Sequence, residues 1–212
     1  MISVFDLFKI GLGPSSSHTI GPMRAALAFR EALAACPALA RAARIETTLY
    51  GSLAWTGRGH ATDKAVILGL AGHAPDAVDP DEAERVAAAA FAGAPLDVAG
   101  RKIAFDAAHD IVFDVVAPTP QHPNTLAFRA LDAEGVVLLD QRWLSVGGGF
   151  VVREGETSLA DGAGEAAIPY PFRDGAELLA RGRDSGLSIA QMTLANERAR
   201  RPAGEVSAHV RR

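Results

Sequence analysis

Residues 22–36 are rich in alanine and leucine, leave Arg24, Arg30 and Glu31 for a wet side, and stop at Pro37. That pattern predicts an amphipathic helix. Ile45-Glu46-Thr47-Thr48-Leu49-Tyr50 instead alternates apolar and polar positions among β-branched residues, which predicts a strand ending at Gly51. Residues 51–60 read as a loop and 61–71 as a helix. A second helix is expected from Asp79-Pro80-Asp81-Glu82 to Phe91, its carboxylates at the positive end of the helix dipole.

From Arg101 the texture changes to short β-like runs at 102–105, 110–116, 126–131 and 136–144. Asp132-Ala133-Glu134-Gly135 is a hairpin-type link between the last two, so this half is expected to form an antiparallel sheet. Gly147-Gly148-Gly149 has neither a Lys-Ser/Thr pair nor a following helix, and reads as a bulge or tight bend before a further strand rather than a nucleotide loop. Residues 154–167 are small and polar, a loop or partly disordered connector. Two amphipathic helices are expected at 175–183 and 187–200, the second opened by Ser188 with Gln191 at capping-box spacing. The fold class is α+β: an antiparallel or mixed sheet with packed helices, followed by a C-terminal helical extension.

Composition narrows the possible partners. At 212 residues and 49% apolar, the chain has ample material for a core. A net charge of -4 gives no basic field, so no nucleic-acid partner is expected. The apolar N-terminus contains Asp6 and Lys9 and no basic flank, so it reads as neither signal peptide nor membrane span, and the protein is placed in the cytoplasm. One cysteine, Cys36, excludes an internal disulfide framework and a self-contained multi-cysteine metal site. Beside Pro37 it reads as a small apolar residue near a helix end.

Chemistry concentrates in three segments, each with one histidine. The first is Gly13-Pro14-Ser15-Ser16-Ser17-His18-Thr19-Ile20-Gly21-Pro22, where glycine and proline constrain the backbone while the side chains carry hydroxyls and an imidazole. Such a loop suits a helix N-cap and equally suits ligand binding. The second, Gly57-Arg58-Gly59-His60-Ala61-Thr62-Asp63-Lys64, sets His60 and Asp63 three apart at an expected helix start, on one face. The third is Gln121-His122-Pro123-Asn124-Thr125, also a natural turn. Imidazoles titrate near neutrality and suit proton transfer, and adjacent hydroxyls or amides can orient a carboxylate. Spacing over a hundred residues does not show a metal site, and no metal ligand is assigned. His73, His109 and His209 lack comparable company.

These motifs resemble the bacterial iron-sulfur L-serine dehydratases, or L-serine ammonia-lyases. The resemblance rests on residues 3–25 with the serine loop, on Tyr50-Gly51-Ser52-Leu53-Ala54 with Thr56-Gly57-Arg58-Gly59-His60-Ala61-Thr62-Asp63, and on His122-Pro123-Asn124-Thr125, in the expected order. It extends over nearly the whole chain and is weakest over 74–97. It implies a domain of the allosteric substrate-binding type at 1–153, a linker at 154–170, and at 171–212 the helical start of a truncated catalytic alpha domain.

The resemblance further implies conversion of L-serine to pyruvate and ammonia by β-elimination. A base takes the α-proton, and the open iron of a [4Fe-4S] cluster acts as Lewis acid on the leaving hydroxyl. The cluster's ligands are expected in the missing catalytic domain. Carried onto this chain, the motifs assign Ser15, Ser16, Ser17 and Thr19 to the substrate, His18, His60 and Asp63 to the catalytic machinery, and His122 and Asn124 to substrate contacts. The expected partners are L-serine, the catalytic alpha domain or subunit, and further copies of the chain in a homo-oligomer. The fragment by itself is expected to be inactive. A second reading follows from a related domain in some phosphoglycerate dehydrogenases: a regulatory amino-acid-binding or assembly module without chemistry.

Overall fold

A computed structural model describes residues 3–7, 11–156 and 168–211. In chain order its regular elements are α1 (Val4–Leu7), α2 (Gly21–Ala34), β1 (Arg44–Tyr50), α3 (Gly51–Thr56), α4 (Thr62–Leu70), α5 (Pro80–Phe91), β2 (Leu96–Val98), β3 (Arg101–Ile103), α6 (Ala107–Asp110), β4 (Ile111–Asp114), β5 (Thr125–Leu131), β6 (Val137–Gly147), β7 (Phe150–Arg153), α7 (Gly175–Ser185), α8 (Ile189–Arg200) and α9 (Ala203–Val210). A π-helical turn at Ser16–Ile20 and 3-10 turns at Pro37–Arg41 and Gly57–His60 complete the set. The contacts divide the chain into two units, Lys9–Glu156 and the combination of Met1–Phe8 with Thr157–Arg212.

The larger unit is an α+β layer structure. Alternation in β1 buries Ile45, Thr47 and Leu49 and leaves Glu46, Thr48 and Tyr50 part-exposed; β5 repeats this with Leu126, Phe128 and Ala130 inside and Arg129 outside. The buried positions meet Ala25, Ala26, Phe29 and Leu33 of α2 and Val66, Ile67 and Leu70 of α4 in one apolar core. Phe29 and Phe128 stack across it with ring centroids 5.1 Å apart. The opposite face of the sheet carries ions, with Arg129 2.8 Å from Glu46 and the Arg142 guanidinium 4.9 Å from the Tyr50 ring centroid.

The sheet order is β4-β1-β5-β6-β7. The β1–β5, β5–β6 and β6–β7 pairs are antiparallel, as the alternating runs and the hairpin link predict. β4 departs from that expectation and lies parallel to β1, with Thr47 opposite Ile111. The reason is topological: β4 returns to the sheet after the crossover formed by 51–110, and a crossover of that kind delivers a parallel strand. β2 and β3 form a separate antiparallel pair. Gly147, Gly148 and Gly149 all have positive φ and make the tight bend between β6 and β7, where the register shifts.

One further expectation changes. Residues 51–60 are helical rather than a loop, as α3 and the following 3-10 turn. Residues 37–41 form a short 3-10 turn, and part of the tail forms α9. Most of the connector expected at 154–167 lies outside the described residues.

In the smaller unit Ser188 and Gln191 form the expected capping box of α8. Tyr170 and Asn196 exchange two hydrogen bonds of 2.8 Å. The buried Glu197 carboxylate accepts from the Ser3 hydroxyl at 2.7 Å and from the Val4 N–H at 2.9 Å. The Phe5 ring stacks on His209 with centroids 3.9 Å apart, and the Arg201 guanidinium lies 4.1 Å from the Phe5 ring centroid.

Candidate functional site

The serine loop is the opening turn of α2. Ser15 is extended and caps the π-helical turn, its Oγ accepting the His18 N–H at 3.1 Å. Its carbonyl accepts both the Thr19 and the Ile20 N–H, at 3.0 and 3.2 Å. π-turns of this kind are rare and recur at functional sites. The turn runs directly into Gly21 and Pro22, so the cap belongs to the π-turn while Ile20 offers α2 no side-chain cap. Ser16 is exposed, and Ser15, Ser17 and His18 are half-buried.

Both ring nitrogens of His18 meet hydroxyls: Ser17 Oγ lies 2.9 Å from Nδ1 and Ser52 Oγ 3.0 Å from Nε2. The second histidine segment is strapped to the first by reciprocal threonine bonds. Thr19 Oγ1 donates to the His60 carbonyl at 2.9 Å, and the buried Thr62 Oγ1 donates to the His18 carbonyl at 2.6 Å. The two imidazoles consequently face each other with centroids 4.8 Å apart. Burial first, and then the neighbouring His60, push the His18 pKa below the usual imidazole value, while a hydrogen bond with Ser52 works the other way. His60 Nδ1 lies 2.9 Å from the Thr56 carbonyl, which can only accept. Nδ1 therefore carries the hydrogen, and in the neutral ring Nε2 keeps a free lone pair.

Asp63 does not share a helical face with His60. Ala61 sits between them with φ 53, a left-handed residue that ends the 3-10 turn before α4 begins. Asp63 Oδ1 accepts the Lys64 N–H at 2.8 Å in the first turn of α4.

The third segment joins through main-chain and amide contacts. His122 Nδ1 accepts the Asn124 N–H at 3.0 Å, and the His122 carbonyl accepts Thr125 Oγ1 at 2.6 Å. Asn124 Nδ2 donates to the Ser145 carbonyl at 3.3 Å, and Ser145 Oγ donates to the Ser17 carbonyl at 2.7 Å. That last contact requires glycine at 21, where an added Cβ would lie 2.1 Å from Ser145 Oγ. The Pro123 carbonyl accepts the Ser52 N–H at 2.8 Å. Ser52, Thr56, Thr62 and Ser145 are thus structural members of the site that the histidine-centred sequence reading passed over. Ser52 and Thr56 stand beside glycines and Thr62 lies inside the His60 segment, while Ser145 carries no such sequence signal.

Chemically, the site offers two imidazoles, a run of hydroxyls and an amide, a set able to hold a small polar ligand and to accept a proton at His60 Nε2. Among the described residues no group of three or more His, Cys, Asp or Glu is placed to hold a metal ion. Cys36 is half-buried at the start of the 3-10 turn at 37–41. An iron-sulfur cluster needs several thiolates, so these residues do not fit one. Among the described residues no helix is long and apolar enough to cross a membrane.

The larger unit is an α+β domain that carries a hydroxyl-imidazole site. The serine dehydratase beta chain family matches residues 3–156, and the chain belongs to that family. Similar proteins include an L-serine dehydratase of Streptomyces coelicolor, 46% identical over 97% of this chain and 46% of the relative. The L-serine dehydratase TdcG of Escherichia coli is 40% identical over 98% of this chain and 46% of the relative. An L-serine dehydratase of Mycobacterium tuberculosis is 41% identical over 98% and 45% respectively. The chain spans about half the length of the curated relatives it matches.

Proposed function

We propose that this chain supplies the N-terminal, substrate-facing domain of an L-serine ammonia-lyase that forms pyruvate and ammonia by β-elimination. The observation that carries the reading is the His18–His60 pair, 4.8 Å apart and set among hydroxyls, with His60 Nε2 free to accept a proton. His60 is assigned the α-proton and His18 the orientation of the groups around it. Ser15, Ser16 and Ser17 bind the substrate carboxylate or hydroxyl. Thr19, whose hydroxyl donates to the His60 carbonyl, contributes by holding His60 in place. Asn124 and His122 line the site through Ser145 and the 122–125 turn. Asp63, anchored in the first turn of α4, has the weakest geometric support of the assigned proton-handling groups.

Residues 1–153 constitute the beta domain in this proposal, 154–170 the linker and 171–212 the start of the catalytic alpha domain. Cytoplasmic residence and self-association belong to the same proposal. The single cysteine cannot supply a [4Fe-4S] cluster, so its ligands are assigned to the catalytic domain or subunit outside this chain, and no step is derived through it.

The test is turnover of L-serine by the assembled enzyme under anaerobic conditions. His60→Ala and His18→Ala should each lower kcat by about 10²–10⁴-fold with an unchanged circular dichroism spectrum. Near-normal turnover from both variants removes the assignment. Pyruvate formation by the 212-residue chain alone would contradict the division of labour.

A further inference from the structure

Three loops meet on Ser52. Its Oγ lies 3.0 Å from His18 Nε2, and its N–H donates to the Pro123 carbonyl at 2.8 Å. Its carbonyl accepts Thr56 Oγ1 at 2.8 Å, while the Thr56 carbonyl accepts His60 Nδ1 at 2.9 Å. One residue at the start of α3 therefore connects the serine loop, the His60 turn and the 122–125 turn.

Contacts run without a break from Ser15 through Ser17 and His18 to Ser52. Ser15 Oγ accepts the His18 N–H and lies 3.4 Å from Ser17 Oγ, where either hydroxyl can donate. In one polarity of this chain Ser17 donates to His18 Nδ1 across 2.9 Å. A neutral imidazole whose Nδ1 accepts carries its hydrogen on Nε2. In that polarity the Nε2–H donates to Ser52 Oγ across 3.0 Å and leaves the Ser52 hydroxyl hydrogen for a ligand oxygen. Burial and the facing His60 imidazole both favour neutral His18.

We propose that Ser52 is a positioning residue that ends a polarised chain from Ser15 through Ser17 and His18. It holds His18 as the Nε2–H tautomer, opposite to the Nδ1–H tautomer of His60, and aims its own hydroxyl as a donor into the site. The further step, that this donor meets a carboxylate or hydroxyl oxygen of L-serine, rests on the function proposed above.

The test is nitrogen-15 NMR of the histidine rings in the 212-residue chain at neutral pH, with His18 signals assigned by their loss in His18→Gln. The expected pattern is Nε2–H for His18 and Nδ1–H for His60. Ser52→Ala should move His18 to a mixture of tautomers, and Ser52→Thr should restore the single form. A wild-type His18 protonated on Nδ1, or a Ser52→Ala spectrum identical to wild type at His18, overturns the proposal. If Ser52→Ala does not fold, the wild-type tautomers still decide it.

In the assembled enzyme Ser52→Ala should raise KM for L-serine about tenfold, the loss of one hydrogen bond to a charged acceptor, with recovery in Ser52→Thr. No L-serine turnover by the wild-type assembled enzyme would sink the functional reading, while the ring spectra would still decide the role of Ser52.

Discussion

Gly51→Ala tests how the three loops are held together. Gly51 has φ +53, and a Cβ there would lie 2.4 Å from the Pro123 carbonyl oxygen and 3.0 Å from Thr119 Oγ1. Two costs follow. The left-handed backbone itself costs an alanine about 1–2 kcal/mol. Relieving the contact also means moving main chain against main chain, with loss of the Ser52 N–H bond to Pro123, about 1 kcal/mol or more. Together they come to about 3 kcal/mol, or a fall in Tm of roughly 6–12 °C for a chain of this size. Gly100→Ala is the internal control: its φ is +85 and nothing lies within 4 Å of the added Cβ, so it isolates the backbone cost. Urea unfolding followed by the fluorescence of Trp55 and Trp143 reports on the unit that contains both sites. If Gly51→Ala costs no more than Gly100→Ala, the close approach of α3 to the 122–125 turn does not hold the site together.

Other perturbations separate further contributions. The Thr47 hydroxyl is buried and unpaired among the described residues, so Thr47→Val should raise stability by about 1 kcal/mol in the same urea assay. His18 has a depressed pKa, so the unfolded chain binds its proton first, and stability should fall as pH drops through the ordinary imidazole value of about 6.5. The fall should level off once pH passes below the folded value. His18→Gln removes that component, and the stability difference between wild type and variant should shrink on acidification from neutral pH; a constant difference would refute the assignment. In the smaller unit, Glu197→Ala leaves the Ser3 hydroxyl and Val4 N–H without their acceptor and should cost about 2–4 kcal/mol. Hydrogen exchange at the Val4 amide should accelerate accordingly.

Elements governed by local patterning were legible in the sequence. The alternation of β1, the hairpin link before β6, the Ser188 capping box and the glycine bend all depend on residues close in the chain, and all appear as expected. Placement that depends on distant residues was not legible. The parallel pairing of β4 reflects the crossover after β1, which no periodicity within Ile111–Asp114 encodes. The helical 51–56 stretch lacks a strong apolar period, so its conformation follows from packing and from the Pro123 contact. At the site, hydroxyl-rich segments announced themselves by composition, and the structure brings Ser15, Ser17, His18, Thr19 and His60 into direct register. The His60 and Asp63 spacing misled because left-handed Ala61 separates the 3-10 turn that carries His60 from α4, which carries Asp63. Ser52 and Ser145 were invisible as partners because their significance lies in what approaches them across the fold.

The π-turn at Ser16–Ile20 also limits how this surface can change. It continues without a break into α2, whose Phe29 and Leu33 are fully buried in the core. Inserting or deleting one residue between Ser15 and Pro22 would rotate the buried face of α2 by about 100° unless the loop absorbed the change. Thr19 and the carbonyls of Ser17 and His18, already committed to other strands and turns, leave it little slack. Substitutions can therefore retune the hydroxyl groups one at a time, but the length of the loop is locked to the angular setting of the core helix.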